Sequence, residues 1–218
     1  ERLAESCRGL GRPFPGAPQE ILAWMHASLK ESGLTEAVVR LSVHWLGEGV
    51  GRFLLLIKPF QAYPKKIYNQ GVAVLTAVPR RFTLRAQSAA IKSSQFLSGV
   101  IAYLDKGERI AFEILFLGQQ GSVAEGTISN IFIVQKSAAA SRERAALLTP
   151  DVGSGILAGI TRDTVIRLAC SEGLEVLERP LTRHEIFSAA ECFLTSTLCD
   201  IVPIRSLDGR LVGDGRPG

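Results

Sequence analysis

Glu125-Gly126-Thr127-Ile128-Ser129-Asn130-Ile131-Phe132 runs from a carboxylate, through a glycine and small polar side chains, into an apolar, β-rich stretch. A carboxylate in that setting is suited to holding a positive charge in a pocket; the plainer alternative is an acidic hairpin turn. Residues 130–134 and 111–117 are expected strands. Further along, residues 161–171 form an amphipathic helix closed by Gly173, residues 182–190 a second helix, and residues 191–195 and 200–205 two more strands. Toward the N-terminus, residues 2–9 are expected to be helical, and the glycines and prolines of 9–16 break the pattern. A helix over 18–32 gathers Ile21, Leu22, Trp24, Met25 and Leu29 near one face and stops at Gly33. Strands over 37–46 and 52–57 flank a glycine-rich turn and make a hairpin. Residues 59–64 read as a linker, 71–78 as a strand, 95–106 as a helix, and 136–145, small and charged, as a mobile loop. Without repeats, this mixture predicts an α/β or α+β protein in two unequal domains, a small one over 1–60 and a large one over 61–218.

The 218 residues, 46% of them apolar and 21% charged, suffice for a real core, and the net charge of +4 is mild. The basic pairs Lys65-Lys66 and Arg80-Arg81 lack interleaved aromatics and read as solvated surface, not a nucleic-acid patch. No apolar run is long enough to span a membrane. Cys7, Cys170, Cys192 and Cys199 are scattered without a CxxC pair, so neither a metal cluster nor a disulfide framework is expected, and a reducing, cytoplasmic compartment is. The opening residues do not read as a signal peptide, and without an initiator Met they leave open a lost organellar presequence.

Four positions suggest chemistry. Lys92, in Ala89-Ala90-Ile91-Lys92-Ser93-Ser94, has small or apolar neighbours; a lysine desolvated there would become a nucleophile toward an aldehyde, whereas the alternative is a surface lysine at a helix start. The run Gly155-Ile156-Leu157-Ala158-Gly159-Ile160-Thr161-Arg162 enters a helix, where free amides and the helix dipole favour an anion; the alternative is a simple N-cap at Thr161. Thr195-Ser196-Thr197 offers three hydroxyls at a strand end, a second anion site or a polar turn. Glu125 is the fourth. Gly47, Gly49 and Gly51, by contrast, are followed by a strand and not a helix, so a hairpin turn fits them better than a nucleotide loop.

Together these runs resemble one family. Glu125-Gly126-Thr127-x-Ser129-Asn130-Ile131-Phe132, Leu147-x-Thr149, Leu157-x-Gly159-Ile160-x-Arg162, Ile91-Lys92-Ser93, and Thr195-Ser196-Thr197 with Ile201-x-Pro203 are similar, in order, to the blocks of the class IV, fold-type IV pyridoxal-phosphate (PLP) aminotransferases. The resemblance implies a two-domain fold, with a small N-terminal α/β domain and a larger C-terminal domain with a β-barrel-like core. It implies PLP as cofactor, Lys92 as the catalytic Schiff-base lysine, and Glu125 as partner of the ring nitrogen. Arg2 would bind the phosphate together with Ile160, Thr161, Ser196 and Thr197; Ser129 and Asn130 would also face the cofactor, and Arg40 and His44 the substrate. The implied reaction moves an amino group between an amino acid and a 2-oxo acid, with branched-chain, D-amino acid and amine donors all open. An aminodeoxychorismate-lyase-type reaction is the alternative on the same cofactor, and a homodimer is the implied assembly. The family pattern also places opening strands before Arg2 and a closing helix after Gly218, which leaves a truncated, non-catalytic relative as a third reading. Gln95 stands where the family pattern often has Asn, and the spacer between Phe132 and Leu147 is long.

Overall fold

Helix-breaking residues and alternating apolar strands set the element boundaries. The computed structural model describes residues 1–47, 49–77, 91–118, 120–136 and 145–218, so Arg80-Arg81, most of the expected loop at 136–145 and one residue of the 47–51 turn lie outside the described residues. The chain divides into two units, one of Glu1–Ala62 with Ile91–Ser93, and one of the other described residues from Tyr63 on.

In the first unit, α1 (Arg2–Gly9) and α2 (Pro18–Glu31) precede the antiparallel hairpin of β1 (Ala37–His44) and β2 (Arg52–Pro59). Pro18 starts α2 at a position where its missing N–H costs nothing, and Gly33 follows its end with φ +68°. Phe53 packs edge-on against Phe14, with ring centroids 5.4 Å apart.

The second unit opens with α3 (Lys65–Gln70), which had no counterpart among the expected elements, and whose Lys65 and Lys66 are exposed. There follow β3 (Val72–Thr76), α4 (Leu97–Asp105), β4 (Glu113–Leu117), β5 (Val123–Gly126), β6 (Asn130–Lys136), β7 (Ala145–Thr149), α5 (Ile160–Ser171), β8 (Glu175–Glu178), α6 (Arg183–Ser188), β9 (Glu191–Ser196), β10 (Asp200–Leu207) and β11 (Arg210–Leu211). The sheet order is β5-β4-β3-β10-β9-β6-β7-β8, with β11 on β10. Strand β10 pairs antiparallel with β9 through Pro203 and parallel with β3 from Ile204, with an irregular register between Ile204 and Ser206. Such an irregularity bends a strand and curls its sheet. The curl brings the two ends of the sheet together: Val123 of β5 donates its N–H to the carbonyl of Leu181, just beyond β8, at 2.7 Å. The core is therefore barrel-like.

Alternation fills the interior. Val72, Val74, Leu115, Ile131, Ile133, Leu148, Leu194 and Leu207 form one buried cluster. The intervening Phe132 of β6 turns the other way, stacks on Phe193 at 5.1 Å, and packs in the cluster that includes Ala169, Val165 and Ile166 of α5. Strand β6 is thus buried on both faces at its start, which explains its unbroken apolar run. Asp208 ties the structure further. Its carboxylate accepts from the N–H of Thr76 at 2.7 Å, the Thr76 hydroxyl at 2.6 Å and Arg183 at 2.6 Å.

Helix α6 carries a capping box: the Thr182 hydroxyl accepts from the Glu185 N–H, and the Glu185 carboxylate accepts from the Thr182 N–H. Thr182→Ala is expected to cost about 1 kcal/mol in urea unfolding, and an unchanged midpoint would contradict the cap. Partial burial opposes ionisation of Glu185, but the hydrogen bonds from Arg179 and Thr182 outweigh it and hold its pKa below the ordinary value. A depressed carboxylate stabilises the fold above its unfolded pKa and loses that contribution as pH falls through the folded one. The stability gap between Glu185→Gln and the parent protein should therefore shrink on acidification; a gap independent of pH would remove the charge from the account.

Candidate active site

Glu125 lies at the end of β5, 6% exposed. Its Oε2 accepts from the Asn130 side-chain amide at 3.1 Å and from the backbone N–H of Leu157 at 2.8 Å. The same Asn130 nitrogen also donates to the Leu157 carbonyl at 2.9 Å. The carboxylate, the start of β6 and the segment leading into α5 are thereby locked together. These two donors are neutral amides, which orient the carboxylate. The sequence alternative of an acidic hairpin turn gives way: Glu125 is a strand residue, and the turn follows it.

Gly159 shows how close the packing is. A Cβ there would overlap the Asn130 side-chain oxygen and stand 3.3 Å from the Arg162 Cβ. Gly159 is also the N-cap of α5 and offers no side chain to its first turn, so the amides of Ile160 and Thr161 stand at the positive end of a 12-residue helix. Arg162, buried beneath them, fixes this helix start by donating to the Pro150 carbonyl at 3.0 Å and to Glu178 at 2.6 Å.

Asn130 also pairs with Thr195 in the β6–β9 ladder, so the end of β9 lies directly beside the Glu125 clamp. Thr195 and Ser196 belong to the strand itself and only Thr197 to the turn beyond it, so the strand runs one residue past its expected end. The Thr195 hydroxyl is buried and has no hydrogen-bond partner among the described residues. The Ser196 hydroxyl lies 3.0 Å from the Cys199 sulfur, whose thiol burial pushes above its ordinary pKa. That thiol is a packed side chain, not a reactive one.

Other expected residues have different surroundings. Ser129 turns its hydroxyl to Glu113 at 2.7 Å, so its observed partner is a carboxylate of the protein. Lys92, Arg2, Arg40 and His44 belong to the first unit. There the backbone N–H of Lys92 donates to the Ser6 hydroxyl of α1 at 3.1 Å. Lys92 is exposed, which corrects the expectation of a desolvated lysine. Sequence reasoning passed over two residues, Ser6 and Glu113. The signal for Glu113 was present: a single carboxylate inside the apolar run Phe112-Glu113-Ile114-Leu115-Phe116.

The donor set fits PLP: a buried, amide-held carboxylate for a protonated ring nitrogen, and beside it a helix N-terminus and a hydroxyl-rich strand end for an anion. Fold and site together define a fold-type IV PLP enzyme. The family model for class IV amino-transferases matches residues 1–207. A branched-chain-amino-acid aminotransferase from Pseudomonas aeruginosa is 30% identical over 228 residues, 100% of this chain and 71% of that protein. A D-alanine aminotransferase from Bacillus licheniformis is 35% identical over 155 residues, 71% of this chain and 50% of that protein. Among solved structures, the Escherichia coli branched-chain amino acid aminotransferase superposes with a TM-score of 0.87 at 27% identity, over 100% of this chain and 72% of that one. A second branched-chain amino acid aminotransferase, complexed with N-(5'-phosphopyridoxyl)-L-glutamate, superposes with a TM-score of 0.87 at 25% identity, over 100% and 71%. The chain belongs to the class IV amino-transferase family. Its activity is that of a PLP-dependent transaminase, moving an amino group between an amino acid and a 2-oxo acid.

Gly159→Ala should force the Asn130 amide off Leu157 and Glu125 and cost about 1–3 kcal/mol in chemical denaturation; a variant as stable as the parent would contradict the close approach.

Proposed function

We propose that this protein transfers the amino group of a branched-chain amino acid to a 2-oxo acid, with Lys92 and Glu125 as the residues that carry the chemistry. The buried Glu125 carboxylate, held by Asn130 and Leu157, is the observation that carries the reading. When bound, PLP supplies an aldehyde for the amino group and a ring that takes up negative charge. Lys92 supplies an amine to that aldehyde and moves the proton at the substrate's reacting carbon. Glu125 holds the proton on the ring nitrogen. A carboxylate fixed in place needs no reorganisation as charge develops, which is the source of its effect on rate. Ile160, Thr161, Ser196 and Thr197, with Arg2, hold the phosphate. Asn130 would hold the Glu125 carboxylate toward the cofactor and Ser129 would support the same site through Glu113, while Arg40 and His44 would face the substrate. The small domain ends near residue 60.

The branched-chain donor is supported by the names of the Pseudomonas and Escherichia relatives, and a D-amino acid donor by that of the shorter Bacillus match. We infer a homodimer working in the cytoplasm. The four free cysteines suit a reducing compartment, and no described helix is long and apolar enough to cross a membrane.

Protein mixed with PLP should develop a visible absorption band that Lys92→Ala lacks. Glu125→Ala should keep the cofactor yet lose turnover on the order of a hundredfold or more. Full activity in that variant would remove Glu125 from its role. The PLP-loaded protein should bleach with leucine, isoleucine or valine; bleaching by D-alanine alone would redirect the substrate. Turnover without a 2-oxo acid acceptor would favour the lyase reaction.

A further inference from the structure

Glu113 is a second buried carboxylate, 2% exposed, at the start of β4. Five donors converge on it. Its Oε1 accepts from the N–H of Ile114 at 2.8 Å, the N–H of Thr127 at 3.0 Å and the Thr127 hydroxyl at 2.7 Å. Its Oε2 accepts from the N–H of Ile128 at 3.3 Å and the Ser129 hydroxyl at 2.7 Å. Four of the five come from Thr127, Ile128 and Ser129, the residues that separate Glu125-Gly126 from Asn130. The Gly126 N–H donates across this turn to the Ser129 carbonyl at 2.7 Å. Glu125 and Asn130 therefore flank one tight loop, and that loop is wrapped around a carboxylate from a different strand. Gly126 makes the approach possible, because a Cβ there would stand 2.7 Å from the Glu113 Oε2.

We propose that Glu113 is a positioning residue for the transamination, fixing the 127–129 turn so that Asn130 stays in hydrogen-bond contact with Glu125. This rests on the proposed role of Glu125. A buried carboxylate is costly unless its lone pairs are filled, and here the turn fills them. The arrangement demands an acceptor-only group: a glutamine would place its own NH2 among donors and lose part of the set. Rotation of the turn would swing the side chains of both flanking residues. Glu113 touches neither substrate nor cofactor in this account; it acts through the loop.

The test uses Glu113→Gln with two readouts. In cofactor-free protein, amide exchange at Thr127 and Ile128 should accelerate by about tenfold or more, while Ile131 to Ile133 in β6 keep their protection. In the PLP-loaded protein, affinity for PLP should fall and the pH midpoint of the bound cofactor's absorption should move. Unchanged exchange at both amides would overturn the proposal. So would faster exchange throughout the second unit with PLP affinity and absorption midpoint unchanged, since that describes a purely structural residue. If Glu113→Gln does not fold, Thr127→Val and Ser129→Ala each remove one hydroxyl donor and should shift the same readouts in the same direction by less; no shift in either would overturn it. A parent protein that takes up no PLP would defeat the proposed function, while the exchange measurement would still decide whether Glu113 holds the turn.

Discussion

A carboxylate buried inside a protein needs its oxygens filled by hydrogen-bond donors. At Glu125 two amides converge on one oxygen, one from the side chain of Asn130 and one from the backbone of Leu157. Much of the second unit is arranged around that junction. Strand β5 delivers the carboxylate and β6 the asparagine, while the segment before α5 provides both a donor and an acceptor. Gly126 and Gly159 are the points at which backbone must pass against a polar side chain without a Cβ. The glycines and asparagine of the signature stretches thus have mechanical reasons to be there, independent of any likeness to other proteins.

Barrel closure serves the same junction. The bend in β10 and the bridge from Val123 to Leu181 curl the sheet, so that β5 lies at one end of the strand order and yet is anchored on both sides. One residue pair, Asn130 and Thr195, then brings the hydroxyl-rich end of β9 against the Glu125 clamp. The strand-end hydroxyls reach the fixed carboxylate through the β6–β9 ladder, and the helix start reaches it through the short side chain of Asn130.

Much of this was legible in the sequence, and the failures have physical causes. Periodicity located α1, α2, the β1–β2 hairpin, α5 and β9 closely, because each has an alternating or amphipathic pattern bounded by glycine or proline or by a neighbouring turn. Strand β5 did not read as a strand because Val-Ala-Glu-Gly is short and ends in turn residues, and β8 and α3 are short enough that tertiary packing, not propensity, decides them. Glu125 was visible as an odd carboxylate next to a buried run. Glu113 was just as odd and was passed over, since four of its five donors lie on a turn 14 to 16 residues away that no local pattern announces. Small neighbours in the sequence suggested that Lys92 would be dry, whereas its side chain is exposed, because burial is set by the fold around a residue and not by the size of its chain neighbours.

The proposed role of the Glu125 carboxylate is to keep the cofactor's ring nitrogen protonated. The most direct measurement is the 15N chemical shift of that nitrogen, with isotopically labelled PLP bound to the protein near neutral pH. The shift of a protonated pyridinium is expected, moving toward that of neutral pyridine in Glu125→Gln. A neutral pyridine shift in the unaltered protein would contradict it.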